Sequence, residues 1–294
     1  EYRIPRVPGI DVASLSYSLS MDIEDLIAKA HLRNNAPLDD FCGLTPMEMD
    51  HLLHDTYTDR SPVRLRPQIS GKTLDGIPWL RLTEEFLKII AREKKIKLTL
   101  LGALPRKVLH ELYAHRIITD KYIDMGALKL TREIDFPTFE FLHVNARLTN
   151  VTRKQKGYLL LTKEGQRLLK PDQRRDLFDL SLRTFTDTFN WAFTSRYEDD
   201  PIGQLGWGYS IYLLLRFGDQ PRPIQFYSDK YLLAFPELLK HVPRLEHQSP
   251  ERDLALRYSH RVFERFFKWF GFVDIEENKK EWERRKWVVR RTTV

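Results

Sequence analysis

Between Asp135 and Leu169 the sequence passes from a helical pattern, through a short basic turn, into a second helical start, and few folds accommodate that order in so short a span. Phe139, Leu142, Ala146 and Thr149 recur at three- and four-residue spacing, which predicts one buried side of a helix. Pro137 suits its first turn, where a missing N–H costs nothing. The other side carries Glu140, His143, Arg147 and Asn150, three of which can donate to base edges or phosphates. Val151-Thr152, the run Arg153-Lys154-Gln155-Lys156-Gly157 and Tyr158 to Leu161 then read as two strands around a basic bend. Thr162-Lys163-Glu164-Gly165 opens the next helix.

The elements upstream complete a pattern. Thr83 reads as the N-cap of a helix with Glu84 and Glu85 in its first turn and Phe86, Leu87, Ile90 and Ala91 as its stripe. Ile96 to Leu100 reads as a short strand, and Leu104 to His115 as a helix with Val108, Leu109 and Leu112 inward. Helix, strand, helix, helix, hairpin is the winged-helix order, so Asp135 to Leu169 is expected to be the recognition helix and wing of a unit spanning 79–170. One departure matters: about twenty residues, Ile117 to Phe136, stand where a simple helix-turn-helix has three or four. Such an insertion can shield the third helix.

The second half repeats the plan. Asp172 to Ala192 reads as a long helix, followed by a helix ending at Phe217, a strand at Ile224 to Phe226 and a helix capped by Ser228. Glu251 to Phe270 is a further helix, and Phe272 to Ile275 pairs with Trp287 to Arg290 across a charged turn that includes Trp282. This gives a second unit at 171–294. Residues 1–78 form an N-terminal arm and helical segment: an extended arm to Ser20, a helix from Met21 to Arg33, another behind Thr45-Pro46, and a proline-rich linker from Thr56 to Pro78. The expected class is mainly α with small β-hairpins, tandem winged-helix-like units preceded by a helical arm.

Charge separates these segments. Residues 81–175 hold 21 Lys and Arg against 11 Asp and Glu, a net of +10 within a chain total of +7. That excess favours nucleic acid by phosphate neutralisation. The single cysteine, Cys42, excludes an internal disulfide and any multi-cysteine zinc site. No apolar run reaches the length of a membrane span and no signal peptide precedes Tyr2, so no membrane partner and a cytoplasmic location are expected.

Other motifs carry less. His51, His54 and Asp55, with His31 upstream, lack a third ligand at diagnostic spacing, and Asp39-Asp40 suits turn chemistry. His110-Glu111 is followed by His115, about 140° around the helix from His110 and off any metal face. Glu93-x-Lys95 and Glu277-x-Lys279 are too common to define a nuclease centre. Gly203, Gly206 and Gly208 fit a close helix approach better than a phosphate loop. The interleaved Arg265-Phe266-Phe267-Lys268-Trp269-Phe270 reads as core with Arg265 and Lys268 pointing outward. Nothing implies a cofactor, a metal or a catalytic group, although an active site assembled across the chain stays open.

Pro37 to Pro46, Lys97-Leu98-Thr99 with Gly102-x-Leu104-Pro105-Arg106-Lys107, and the closing Phe-Gly-Phe-Val pattern resemble an uncharacterised bacterial family. Its segments occur beside SEC-C motifs or modules similar to plasmid pRiA4b ORF-3. The resemblance implies no activity. The functional expectation is therefore DNA or RNA binding by a basic wing: Arg153, Lys154 and Lys156, with Lys163 and Arg167, on phosphate, and His143, Arg147 and Asn150 toward bases. The alternative is a non-catalytic scaffold that binds a protein partner or forms a homo-oligomer.

Overall fold

The protein is described by a computed structural model over residues 12–193, 197, 200–243, 248–277 and 287–292. Helix α1 (Val12–Asn34) starts well before Met21, so the expected arm is helical from Val12 onward, and from Ile23 to Asn34 every residue is exposed. In α2 (Pro46–His54) the Thr45 hydroxyl accepts from the Glu48 N–H at 3.1 Å while Glu48 accepts from the Thr45 N–H at 2.8 Å. That reciprocal cap satisfies two donors which the helix itself cannot. The linker is less open than its prolines suggest, since Ser61 and Val63 are buried and α3 (Gly71–Asp75) interrupts it.

Helix α4 (Pro78–Glu93) begins at Pro78, not after Thr83. Proline pre-sets the first turn, and the earlier start buries Trp79, Leu80 and Leu82 with Phe86, Leu87 and Ile90. Thr83 is interior and donates to the Trp79 carbonyl at 2.8 Å. Next come β1 (Ile96–Lys97), α5 (Arg106–Ala114), α6 (Lys121–Asp124), a 3₁₀ turn at Glu133–Asp135 and α7 (Pro137–Leu148). The hairpin β2 (Thr152–Gln155) and β3 (Tyr158–Leu161) leads into α8 (Lys163–Leu168). The first sheet is antiparallel in the order β1-β3-β2.

Helix α9 (Arg174–Arg183) runs into a π-helical turn, Thr184–Thr188, and stops before Ala192. Then α10 (Trp207–Phe217) lies so close to α2 that a Cβ at Gly208 would be 2.8 Å from the Leu52 carbonyl oxygen, which is the close approach the glycines suggested. The strand β4 (Arg222–Pro223) precedes α11 (Ile224–Ala234), which absorbs the expected strand. Ile224, Tyr227 and Tyr231 bury one side of that helix, and this packing overrides a three-residue β preference. Ser228 is interior to it. Helix α12 (Pro250–Tyr258) continues as π-helix through Ser259–Phe267, and β5 (Val273–Glu277) pairs with β6 (Trp287–Arg291). The second sheet has the order β4-β6-β5, the same pattern as the first. Trp282 lies outside the described residues. The chain is thus mainly helical with two small antiparallel sheets, and no described helix is long and apolar enough to cross a membrane.

An aromatic core joins the two halves. Trp79 of α4 stacks on Trp269 with ring centroids 4.9 Å apart, and Phe185, Phe189 and Phe266 pack alongside. Phe141 of α7 enters the same cluster, 4.7 Å from Phe189 and 5.2 Å from Trp269. Arg265 is buried, not outward: its guanidinium covers the Phe141 ring at 4.5 Å, and desolvation pulls its pKa down to about 10.

Candidate nucleic-acid interface

The hairpin forms where the sequence places it. Its bend is Lys156-Gly157, both with positive φ (47° and 77°), the two-residue turn whose twist matches paired strands. Residues paired across an antiparallel ladder share a face, so the register sorts the side chains. Lys97, Tyr158 and Gln155 form one outward row, with Arg153 and Leu160 in the next. Ile96, Leu159 and Thr152 are buried on the inner side. Lys95 sits over the Tyr158 ring at 4.8 Å, adding a cation held against an aromatic surface. Lys154 starts on the inner side of the edge strand, and its Nζ would be 2.9 Å from a Cβ at Gly102.

The cations of the hairpin and of the helices flanking it are available. Arg147, Arg153, Lys154, Lys156 and Lys163 are exposed, and among the described residues none of them, nor Lys97, forms an ion pair. Arg167 differs. Glu164 grips it through two hydrogen bonds of 2.7 and 2.9 Å and Asp176 lies at 3.3 Å, so its charge is already neutralised within the chain.

The third helix departs most from expectation. In α7, Thr138, Phe139, Phe141, Leu142, His143, Asn145 and Ala146 are all buried, because the helix packs against α4 and β2 while Phe141 packs on Phe189. The insertion covers its beginning: Phe136 packs edge-on to Phe139 at 4.8 Å, and Glu133 is buried. The Glu133 carboxylate accepts from the Leu104 N–H at 2.8 Å and lies 3.0 Å from Nδ1 of His143. His143 therefore faces inward and does not reach a base. Glu140 is half-buried beside it, its carboxyl raised by desolvation and then by the charge of Glu133. Of the base-facing trio, only Arg147 and Asn150 are exposed. Asn150 adopts φ +57°, the left-handed helix stop that asparagine tolerates, and its carbonyl accepts from Thr162 at 2.8 Å.

Beside the hairpin is a feature hidden in the sequence. The strand β1 ends at Lys97 because its partner β3 gives way to the hairpin bend; the final bond is Leu98 N–H to the Gly157 carbonyl at 2.9 Å. The chain then turns. Thr99 closes the loop, with its N–H to Ala103 O and Gly102 N–H to its own carbonyl at 2.9 Å each, while its hydroxyl accepts from the Ala103 N–H at 3.0 Å. Leu100 and Leu101 stand on the tip with relative exposures of 108% and 96%.

Two other polar regions lie elsewhere. A cavity of about 510 Å³ separates the end of α2 from the π-helical turn of α9, with Tyr57, Thr186, Asp187 and Trp207 in its wall. Tyr57 hydrogen-bonds Thr186 at 2.7 Å, and burial raises its hydroxyl above the ordinary tyrosine range. Near α12, Asp200 is buried between Arg257 and Arg261 at 2.6 Å each, and Arg257 also holds Asp253 at 2.7 Å. No group of three or more His, Cys, Asp or Glu suited to a metal occurs among the described residues.

Comparison with known families adds one finding. Residues 75–175 match the Y4jL N-terminal domain family. The matched span runs from the end of α3 to the start of α9, so it contains the insertion, α7, the basic hairpin and the leucine tip. This similarity brings no activity with it. No curated protein and no solved structure matches the chain.

Proposed function

We propose that the chain binds nucleic acid through the phosphate backbone, using the exposed edge strand and bend of the first sheet. In this reading residues 79–170 are a winged-helix-like unit, echoed at 171–294, whose wing meets the phosphates while its third helix is retained as core. The observation that carries it is the group of exposed cations without ion pairs, Lys97, Arg153, Lys154 and Lys156, on one small sheet beside Tyr158. Phosphate binding needs cations at a surface and no sequence code, which suits a buried α7. His143 drops out of the proposed interface, and Arg167 contributes weakly.

Reversal of Arg153, Lys154 and Lys156 to Glu tests this. Each cation that no longer neutralises a phosphate lowers the slope of log K against log salt by roughly one unit, so the triple variant is expected to have a slope shallower by about three. Fluorescence anisotropy on a labelled duplex from low to moderate salt reads the slope. Identical slopes in parent and variant would exclude the hairpin as the binding surface.

A second reading, self-association, is favoured by α1. Ile23, Leu26 and Ile27 share one side of the helix and are 54%, 64% and 53% exposed. Glu24 and Asp25 precede Lys29, His31 and Arg33, so two antiparallel copies place acid against base. Light scattering is expected to give a dimer mass that falls to the monomer in Leu26→Glu; a parent that stays monomeric at all concentrations removes this reading.

A further inference from the structure

We infer that Leu100 and Leu101 form an apolar wedge that enters a base step of duplex DNA, an inference that rests on the phosphate-binding reading above. Two adjacent leucines with essentially their whole side-chain surface in water leave a favourable burial unrealised. The turn under them is fixed by three hydrogen bonds closing on Thr99, so the pair is presented on a set loop and not on a loose end. The same loop is tied to the hairpin bend through Leu98 and Gly157, and Lys154 reaches to Gly102 at its base. The apolar tip therefore stands beside the hairpin, with the Lys154 ammonium at its base.

That combination selects the partner. Lys154 at the foot of the tip and the further cations of the hairpin beside it match a polyanion, and the tip matches something apolar within reach of that polyanion. Duplex DNA offers both, phosphates outside and stacked bases inside. Proteins that insert leucine between base steps unstack them and bend the duplex, anchoring themselves by charge on either side. Tyr158, with Lys95 over its ring, supplies an aromatic surface on the adjacent sheet face, which a base exposed by the wedge can meet. An anionic bilayer would also attract the cations, but two side chains bury too little surface for stable insertion.

The test compares the full chain with its Leu100→Ser, Leu101→Ser double variant, whose exposed positions leave folding unchanged, as a thermal melt verifies. The probe is a short DNA duplex with 2-aminopurine at its centre and a fluorophore pair at its ends. The parent is expected to raise 2-aminopurine fluorescence and shorten the end-to-end distance at saturation. The variant is expected to keep the parent's salt slope, lose both signals and bind on the order of tenfold more weakly. Parent binding with the normal salt slope but no 2-aminopurine change overturns the wedge alone. Absence of any parent binding at low salt overturns the phosphate reading and the wedge with it. Vesicles of phosphatidylserine and phosphatidylcholine form a third arm: co-sedimentation that the double variant loses, without a DNA signal, assigns the tip to a membrane and overturns the inference.

Discussion

Asp200→Ala is expected to destabilise the protein by about 3–5 kcal/mol, read as a lower denaturant midpoint with little change in the slope of the transition. The carboxylate lies between Arg257 and Arg261, each 2.6 Å away, and the three side chains are 2%, 4% and 0% exposed. Arg261 also donates to the Asp200 and Ile202 carbonyls at 3.0 Å, which fixes the segment before α10 on the π-helical part of the last long helix. Removing the acid takes away the carboxylate that Arg257 and Arg261 share, while Asp253 stays with Arg257. Water cannot easily replace the missing carboxylate at such depth, so the cost is the desolvation of charge that had a partner. Asp253→Ala is expected to cost less, since Asp200 then still serves both arginines. Equal midpoints for parent and Asp200→Ala would mean that the network contributes nothing to the folded state.

The basic hairpin was legible because its information is local. A basic run, a Lys-Gly bend, an apolar run and a threonine cap before Glu-Gly each impose their geometry within a few residues, and the strands fall where that chemistry puts them. The stripe of Phe139, Leu142 and Ala146 was legible for the same reason. What escaped depends on partners distant in sequence. His143 lies at helical spacing on the expected outer side, yet Glu133 from the insertion turns that side into an interior. Arg265 follows the pattern of a solvent-facing arginine until Phe141, far earlier in the chain, is placed beneath it. Ile224 to Phe226 has strand composition, and only packing of α11 decides against it. The leucine tip escaped for a different reason: Ile96 to Leu100 has strand character throughout, but β1 can be no longer than its neighbour, which turns at Gly157. The bend of the neighbouring hairpin thus determines what an apolar pair does.

Phe141→Ala is expected to cost about 3–5 kcal/mol, and this substitution separates a structural α7 from a reading helix most sharply. On the free face of a recognition helix, replacing an aromatic residue changes stability by only about 0.5 kcal/mol. Here the ring is 1% exposed, touches Phe189 and Trp269, and lies under the Arg265 guanidinium, so its removal opens a cavity and strips a buried cation of its cover. Because α7 packs Phe139 on Phe136 and Phe141 on Phe189, the damage reaches both sides of the helix. Unfolding of parent and variant is expected to follow one transition by both tryptophan fluorescence and far-ultraviolet circular dichroism, the variant merely earlier. At temperatures where it stays folded, the variant is expected to keep the parent's salt slope on DNA, since the cations of the hairpin are exposed and Phe141 lies in the core. A variant as stable as the parent but defective in binding would instead return α7 to the role of a recognition helix and move the binding surface away from the hairpin.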